Sequence, residues 1–331
     1  MRNFDKECVA YSSKLLIIFQ YTLCLIPPFT NIIYKEVKLL NQVLSNKKAV
    51  TLFMLPALLL FLIVIIVPII MSFWYSIHDW DGIGDKIFIG LQNYKNLFVE
   101  NSDGFWHSAI NSFIFAFGSV FIQLPISLLL ALLLSSITKG TRFFISVYFM
   151  PVLISTVVIG QLWSKIYNPQ YGLLNSALRS LHLEHLTRNW LGDTKIVIFA
   201  VLVPVLWQYI GYHMLLMYAS IKSISTEIME AAKLDGANSI QIATKITIPL
   251  MKPILKVCVT FAVVGSLKNF DLIYVMTNGG PAGASQLPST LMVETIFSRN
   301  MYGYGSSMAI FIILECFILA YIIRKCFGKE E

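Results

Sequence analysis

The stretch KSISTEIMEAAKLDGANSIQIATKITIPL, residues 222–250, is a polar segment between long apolar runs. Ser225 or Thr226 can cap a helix there, because a short hydroxyl side chain satisfies amide donors that the first turn leaves free. Alanines favour continuation of that helix, and Gly236 can end it, since glycine adopts the left-handed backbone conformation without penalty. The sequence therefore predicts a short helix that stops at Gly236.

A second short helix is expected at about residues 239–246, with Pro249 at the start of the next apolar run, where a missing amide costs little. Two short helices joined at a glycine and rich in small side chains form a surface that another protein can approach closely. The same pattern also fits a structured loop that binds no partner. Periodicity alone leaves both interpretations open.

The composition is that of an integral membrane protein. Of the 331 residues, 56% are hydrophobic and only 13% are charged, whereas a soluble domain has about a quarter charged residues. The net charge is +7, and the basic residues are scattered between the apolar runs. This distribution is typical of loops held on the cytoplasmic side and does not favour nucleic-acid binding. The five cysteines show no metal-ligand spacing, and we expect them to be reduced. No phosphate-binding glycine loop and no catalytic group is recognisable, so we expect no enzyme activity, cofactor or metal.

Six apolar runs are long enough to cross a bilayer. The sequence predicts an all-α polytopic membrane protein with spans at about residues 50–73, 109–134, 143–166, 194–219, 253–276 and 304–323.

Lysine and arginine placement predicts the orientation of these spans. The loops on one side of the membrane are rich in basic residues, and those on the other side are diluted by acidic residues. Because positive loops stay in the cytoplasm, both ends of the six-span core and residues 222–250 are expected to be cytoplasmic.

The N-terminal segment, residues 1–47, is set apart from the core, residues 48–326, and from a tail, residues 327–331. Its apolar part is interrupted by Gln20, Asn31 and the Pro27–Pro28 pair, and it lacks a small-residue cleavage site. An extra span, a helix lying on the membrane surface and upstream sequence from a misplaced start codon remain alternatives.

The polar segment carries a recognisable motif. Glu230-Ala231-Ala232, then Gly236, then Ile246-Thr247-Ile248-Pro249 after nine intervening residues, resembles the EAA loop of binding-protein-dependent ABC import permeases. Ile248 stands where that family usually has leucine. In the family, this loop is the coupling helix that sits in a cleft of the ATPase subunit. The resemblance assigns that role to Glu230, Ala231, Ala232, Asp235, Gly236, Ile246 and Pro249.

Three further segments resemble the carbohydrate branch of the same family, in the style of maltose and glycerol-phosphate permeases. They are FDLIYVMTNGGP at residues 270–281, GLQNY at 90–94 and NPQYGLLN at 168–175. The resemblance covers about residues 48–326.

Polar side chains inside the fourth and fifth spans indicate a substrate path, because such groups usually face the bundle interior. An amide, a hydroxyl and tyrosines on facing helices can bind sugar hydroxyls and stack under a sugar ring. Polar contacts that merely hold helices together explain the same residues equally simply. By resemblance to the maltose-type permease, the candidates for sugar contact are Gln208, Tyr209, Tyr212, Ser266 and Asn269.

Four other polar residues in the spans are interpreted differently. His213 is expected to point away from the face of those candidates and to serve packing. Glu315 is expected to face the bundle interior, and Gln123 and Gln161 are weaker candidates for the path.

The resemblance implies one permease subunit of an ABC importer that brings a sugar or oligosaccharide through the bacterial plasma membrane. The implied partners are a second permease, two cytoplasmic ATPase subunits, an external sugar-binding protein and membrane lipid, with no nucleic acid. The alternative is a stand-alone secondary transporter or channel, which predicts inverted repeats with broken helices. No convincing internal repeat is present. Which sugar is carried, or whether a glycerol-phosphate compound is carried, stays open.

Overall fold

The computed structural model describes residues 47–101, 103–137 and 139–328. Residues 1–46 of the expected N-terminal segment lie outside the described residues, as do residues 329–331 of the expected tail. The described chain divides into two compact units between Ile69 and Ile70.

Helices dominate the described chain. Five helices are long and apolar enough to cross a membrane, and a bent pair of helices makes a sixth crossing if it counts as one span. Spans one to six are Val50–Ser76, Phe105–Ser136, the pair Thr141–Leu153 and Thr156–Ile166, Val197–Ser223, Lys252–Met276 and Tyr302–Cys326. The expected all-α, six-span architecture is confirmed, with ends that differ from the expected ones by a few residues.

The third span is not the single straight helix that its apolar run predicts. Its two halves meet at an angle of 95°. Pro151 lies inside the first half, and Ile154 and Ser155 have extended ψ values of 137° and 133° at the break. A proline removes a helical hydrogen bond and crowds the preceding turn, so the helix ends soon after it.

Other spans also contain irregular turns. Span one contains the π-helical turn Leu62–Ile66 between the α-helices Lys47–Phe61 and Val67–Ser76. Span two contains the π-helical turn Ser119–Gln123 between Phe105–Gly118 and Leu124–Ser136. Span five is interrupted at residues 268–270, between the α-helices Lys252–Leu267 and Asp271–Met276.

One end of the second unit carries a small hairpin, in which strand β1 (His78–Asp79) pairs antiparallel with strand β2 (Ile87–Phe88). We call this end the hairpin side. A helix that the sequence analysis did not foresee, Pro288–Phe297, packs against span six on the same side. The shorter elements are the helices Gln92–Lys95 and Leu173–Ser180, the π-helical turn Asn96–Glu100 and the 3₁₀ turn Glu184–Leu186.

The opposite end carries the segment that joins spans four and five, and we call it the loop side. The first loop helix is Thr226–Leu234. The second loop helix covers residues 239–250, as Ser239–Ile242, the π-helical turn Ala243–Thr247 and Ile248–Leu250. The second loop helix runs on past its expected end to Leu250, so Pro249 lies within it, and span five begins separately at Lys252, close to the expected residue 253.

Span four is the centre of the second unit. It packs against span two, against the first half of span three and against span five. Toward the hairpin side, its buried residues from Val197 to Leu206 form one apolar cluster with parts of spans two, three and five. Toward the loop side, Met214, Met217 and Ile221 form a second cluster with spans two and five. Between these clusters, the lining of spans four and five becomes polar.

Candidate functional site

A cavity of about 540 Å³ lies against spans four and five, at the level of the break in span five. All five residues that the sequence analysis assigned to a substrate path line it: Gln208, Tyr209, Tyr212, Ser266 and Asn269. The structure therefore brings these residues together around one space. The groups on each wall of the cavity determine which kind of ligand it can bind.

Span four supplies the amide and the aromatic rings. Gln208 is buried, and its Nε2 lies 3.5 Å from the Thr156 hydroxyl at the start of the second half of span three. Tyr209 is 38% exposed, so its ring is accessible from the cavity. An amide beside accessible phenol rings can exchange hydrogen bonds with hydroxyl groups and offer a flat apolar surface.

The expectation that His213 points away from the face of the candidates was wrong. Its side chain is buried and lines the same cavity, and its Nδ1 has no hydrogen-bond partner among the described residues. His213 follows Tyr209 by four residues, and residues with that spacing share one face of a helix. It is also in ring contact with Tyr212, at 5.2 Å between centroids.

Span five supplies the opposite wall. The Ser266 hydroxyl lies 2.9 Å from the Ser119 hydroxyl of span two and donates a hydrogen bond to the Ala262 carbonyl at 2.8 Å. The helix ends directly after, and the Ser289 hydroxyl donates to the backbone carbonyl of Asn269. A polar break in a span is stable only where such partners or water satisfy its backbone groups.

The structure adds cavity residues that the sequence analysis did not assign. Ser119 and Thr156 contribute hydroxyl groups. Gln123, a weaker candidate in the sequence, is buried and lines the cavity, whereas Gln161 is exposed and does not.

Two charged residues line the cavity as well. Lys268 and Asp271 flank Asn269 at the break in span five, and within the described residues neither forms an ion pair. Asp271 on span five and Tyr209 on span four line the same cavity. Charged groups without ion partners on a cavity wall are available to a ligand.

A polar network ties the cavity to the hairpin side. The Asn111 side chain of span two donates hydrogen bonds to the carbonyls of Ala284 and Gln286 at 3.1 and 2.9 Å. Gln286 donates to Glu294 of the Pro288–Phe297 helix at 2.8 Å. That helix carries Ser289, so its placement fixes the carbonyl of the cavity residue Asn269.

Arg299 closes this network at its exposed edge. It donates to Glu294 at 2.8 Å and to Asp103 at 2.5 Å. The hydrogen bond with Glu294 and the one with Asp103 raise the pKa of Arg299, although partial burial opposes this. The guanidinium therefore stays charged and holds the start of span two against the loop before span six.

The first loop helix ends as its sequence predicts. Gly236 has a φ of +79°, and its amide donates to the Lys233 carbonyl at 3.1 Å. The Ala237 amide donates to the Ala232 carbonyl at 3.0 Å. This pair of bonds is a Schellman motif, which satisfies carbonyls that a helix end leaves free. At the start, Ser225 is the N-cap residue but makes no side-chain capping bond.

The second loop helix begins with a capping box that the sequence analysis did not identify. The Asn238 side chain accepts from the Gln241 amide, and the Gln241 side chain accepts from the Asn238 amide, each at 2.8 Å. Such reciprocal bonds fix the entry of a short helix. Together, the Schellman motif and the capping box make the turn between the two loop helices a defined corner.

The loop presents an exposed surface. Of the residues that the resemblance assigned to it, Glu230, Ala231, Asp235, Gly236 and Pro249 are exposed, Ile246 is half-buried and Ala232 is buried. The apolar side chains of Leu234 and Ile240 are 89% and 75% exposed on either side of the corner. Exposed apolar groups beside a small-residue corner are typical of a protein-binding surface.

The loop connects the two spans that line the cavity. Span four ends at Ser223 and the first loop helix starts at Thr226. The second loop helix ends at Leu250, and span five starts at Lys252. Only two residues lie between span four and the first loop helix, and one residue lies between the second loop helix and span five. Among the described residues, no group of three His, Cys, Asp or Glu side chains could hold a metal ion.

Comparison with known proteins places this arrangement in a family. The model of the family described as "Binding-protein-dependent transport system inner membrane component" matches residues 15–329. The probable ABC transporter permease protein YurN of Bacillus subtilis (strain 168) is 37% identical over 292 residues, which are 87% of this chain and 99% of that protein. The trehalose/maltose transport system permease protein MalF of Thermococcus litoralis is 34% identical, over 84% of this chain and 94% of that protein.

A solved structure has the same fold. The crystal structure of a bacterial ABC transporter involved in the import of the acidic polysaccharide alginate contains a chain that matches with a TM-score of 0.75 at 21% identity. The match covers 88% of this chain and 98% of that one. The chain studied here belongs to the family of inner membrane components of binding-protein-dependent transport systems.

Proposed function

We propose that the chain is a permease subunit of an ABC importer that brings carbohydrate into the cytoplasm. The observation that carries this proposal is the direct connection of one exposed two-helix loop to both walls of one polar cavity. Relatives named for trehalose and maltose and for arabinooligosaccharides support carbohydrate as the cargo. Amide, hydroxyl and tyrosine groups on the cavity walls suit a polyhydroxylated ligand.

In this proposal, the loop side faces the cytoplasm of a bacterial cell, as the basic loops predict. Two ATPase subunits bind the loop helices of this chain and of a second, similar permease. A carbohydrate-binding protein docks on the hairpin side, and a transporter structure from the comparison was solved in complex with its pentasaccharide-bound periplasmic protein. ATP-driven closure of the ATPase subunits moves the loop, and spans four and five open the cavity alternately to the two sides.

The first test of this proposal is the composition of the complex. The tagged chain is extracted with a mild detergent from the membranes of its own host, and the co-purifying chains are identified by mass spectrometry. We expect an ATPase subunit and a second permease in stoichiometric amounts. Recovery of the chain alone, or as a homo-oligomer that still transports a solute, would contradict the proposal and leave a stand-alone carrier or channel.

A second test concerns the cavity. Gln208→Leu keeps the volume of a buried side chain but removes the amide that faces the cavity. We expect uptake of the cargo to fall about tenfold, because the hydrogen bonds lost with one amide contribute roughly 1–2 kcal/mol. The measurement is uptake of radiolabelled maltose, trehalose and arabinotriose by a host strain that lacks the gene and carries the variant.

The matched control for this test is Gln161→Leu. Gln161 is exposed and lies outside the cavity, so the same chemical change there is expected to leave uptake unaltered. If both variants, or neither, reduce uptake of a sugar that depends on the gene, the cavity is not the cargo path.

A further inference from the structure

Span six contains a buried carboxylate without a partner. Glu315 is residue 14 of the 25 residues in the helix Tyr302–Cys326, counted from Tyr302, and only 7% of it is exposed. Both of its carboxylate oxygens lack a hydrogen-bond partner among the described residues. An ionisable side chain at mid-membrane depth is costly, and such residues usually pair with one another. Among the described residues, no side chain serves as that partner in this conformation.

The packing of spans five and six identifies the nearest candidate. Val259, Val263 and Leu267 of span five belong to one apolar cluster with Cys316, Leu319 and Ile323 of span six. Because the two spans run in opposite directions, the members of this cluster nearest the hairpin side are Leu267 on span five and Cys316 on span six. The next residue on each helix is Lys268 and Glu315, respectively, so both charges lie at one level.

Lys268 is free to move toward Glu315. It is the C-terminal cap of the helix Lys252–Leu267 and lines the cavity, and it forms no ion pair within the described part of the chain. A lysine ammonium sits on a flexible four-carbon stem, which allows it to leave one site for another without displacement of the backbone.

We propose that Lys268 and Glu315 form an ion pair in a second conformation of the transport cycle, in which Lys268 leaves the cavity for the interface of spans five and six. This inference rests on the proposed function, in that it treats the cavity as the cargo site. Lys268 is then a positioning residue that lies in the cavity in one conformation and holds spans five and six together in the other. By linkage, a cargo that binds Lys268 in the cavity disfavours the ion pair, and the ion pair disfavours cargo.

The test is a double-mutant cycle with Lys268→Met and Glu315→Gln, measured on the complex in host membranes. The other four cysteines are first replaced with serine, because Cys326 is exposed and Cys316 is only partly buried. Thermal unfolding is then followed through labelling of the Cys258 thiol, which is fully buried among the described residues. Each variant is measured without nucleotide and after trapping with ATP and vanadate. In one of these two conditions, we expect Lys268→Met alone to lower the Tm by at least about 5 °C, because it leaves a buried charge unpaired. In that condition, the double variant should lose no more than the single variant.

The outcomes separate the alternatives. Additive changes of the Tm in both conditions would show that the two charges do not pair in either conformation. Non-additive changes in both conditions would show that they are always paired. Either result overturns the inference. The matched control is a cycle of Lys268→Met with Asp271→Asn, the other carboxylate near Lys268. If the Asp271 cycle shows coupling and the Glu315 cycle shows none, the inference is also overturned.

Failure of the proposed function would be visible separately. If no ATPase is bound, ATP and vanadate leave the Tm of the unaltered protein unchanged. The two conditions are then equivalent, so the cycle gives the same result in both, and either additivity or non-additivity overturns the inference.

Discussion

Replacement of Gly236 with aspartate is expected to release the ATPase subunits from the complex while the permease itself stays folded. Among the described residues beyond its two chain neighbours, no atom lies within 4 Å of the position that a Cβ at residue 236 would take, and the obstacle there is the φ of +79°. That backbone strain costs about 1 kcal/mol. The larger effect is a new charge, which a docked partner would bury without a counter-ion at a cost of more than about 2 kcal/mol. We expect recovery of the ATPase with the tagged permease to fall at least about tenfold.

Gly84→Asp is the matched control for this variant. Gly84 has a φ of +80° and also has no atom within 4 Å of its Cβ position, but it lies in the hairpin on the opposite side. The backbone strain is therefore the same, and only the place of the charge differs. Equal loss of the ATPase in both variants would show that backbone strain causes the effect. The loop would then no longer be identified as the surface that binds the ATPase. Full retention of coupled ATP hydrolysis in Gly236→Asp would do the same.

Much of this architecture follows from the sequence because a bilayer imposes strong constraints. A span needs about 20 apolar residues, so the apolar runs locate the spans to within a few residues. The corner at Gly236 is also readable, because a left-handed residue after a helix is almost always glycine. The residues that line the cavity could be predicted from the sequence for a similar reason. Polar residues such as Gln208 and Ser266 are conspicuous inside apolar runs.

The irregular elements were not predictable from these signals. The bend in span three depends on whether a helix with Pro151 kinks or breaks, and hydropathy is the same in both cases. The helix Pro288–Phe297 is too short to be a span, and its position depends on distant partners such as Asn111. The direction of the His213 side chain was predicted wrongly, although its spacing of four residues from Tyr209 places both on one helical face. The helical face was drawn too narrowly, from residues 208, 209 and 212 alone.

Replacement of Gly211 with alanine is expected to prevent stable folding of the chain. Gly211 lies in span four, where its backbone crosses the first half of span three. A Cβ at this position would lie 1.9 Å from the carbonyl oxygen of Tyr148 and 2.9 Å from the amide nitrogen of Phe149. Both atoms belong to the backbone of a packed helix, so no side-chain rotation can relieve the clash. Close helix crossings in membranes depend on such small residues.

The expected loss is at least about 3 kcal/mol of unfolding free energy, the upper part of the range for overpacked cores, because two helices must separate. The measurement is thermal unfolding in detergent, followed through labelling of the buried Cys258 in a protein whose other four cysteines are serine. The amount of protein in the membrane is measured alongside. Gly265→Ala is the matched control, since Gly265 lies inside the helix Lys252–Leu267 and no atom lies within 4 Å of its Cβ position. Alanine should be neutral there or stabilise the helix by up to about 1 kcal/mol. A Gly211→Ala protein as stable as Gly265→Ala would mean that spans three and four do not cross at Gly211. The position of span four, which forms one wall of the cavity, would then be wrong.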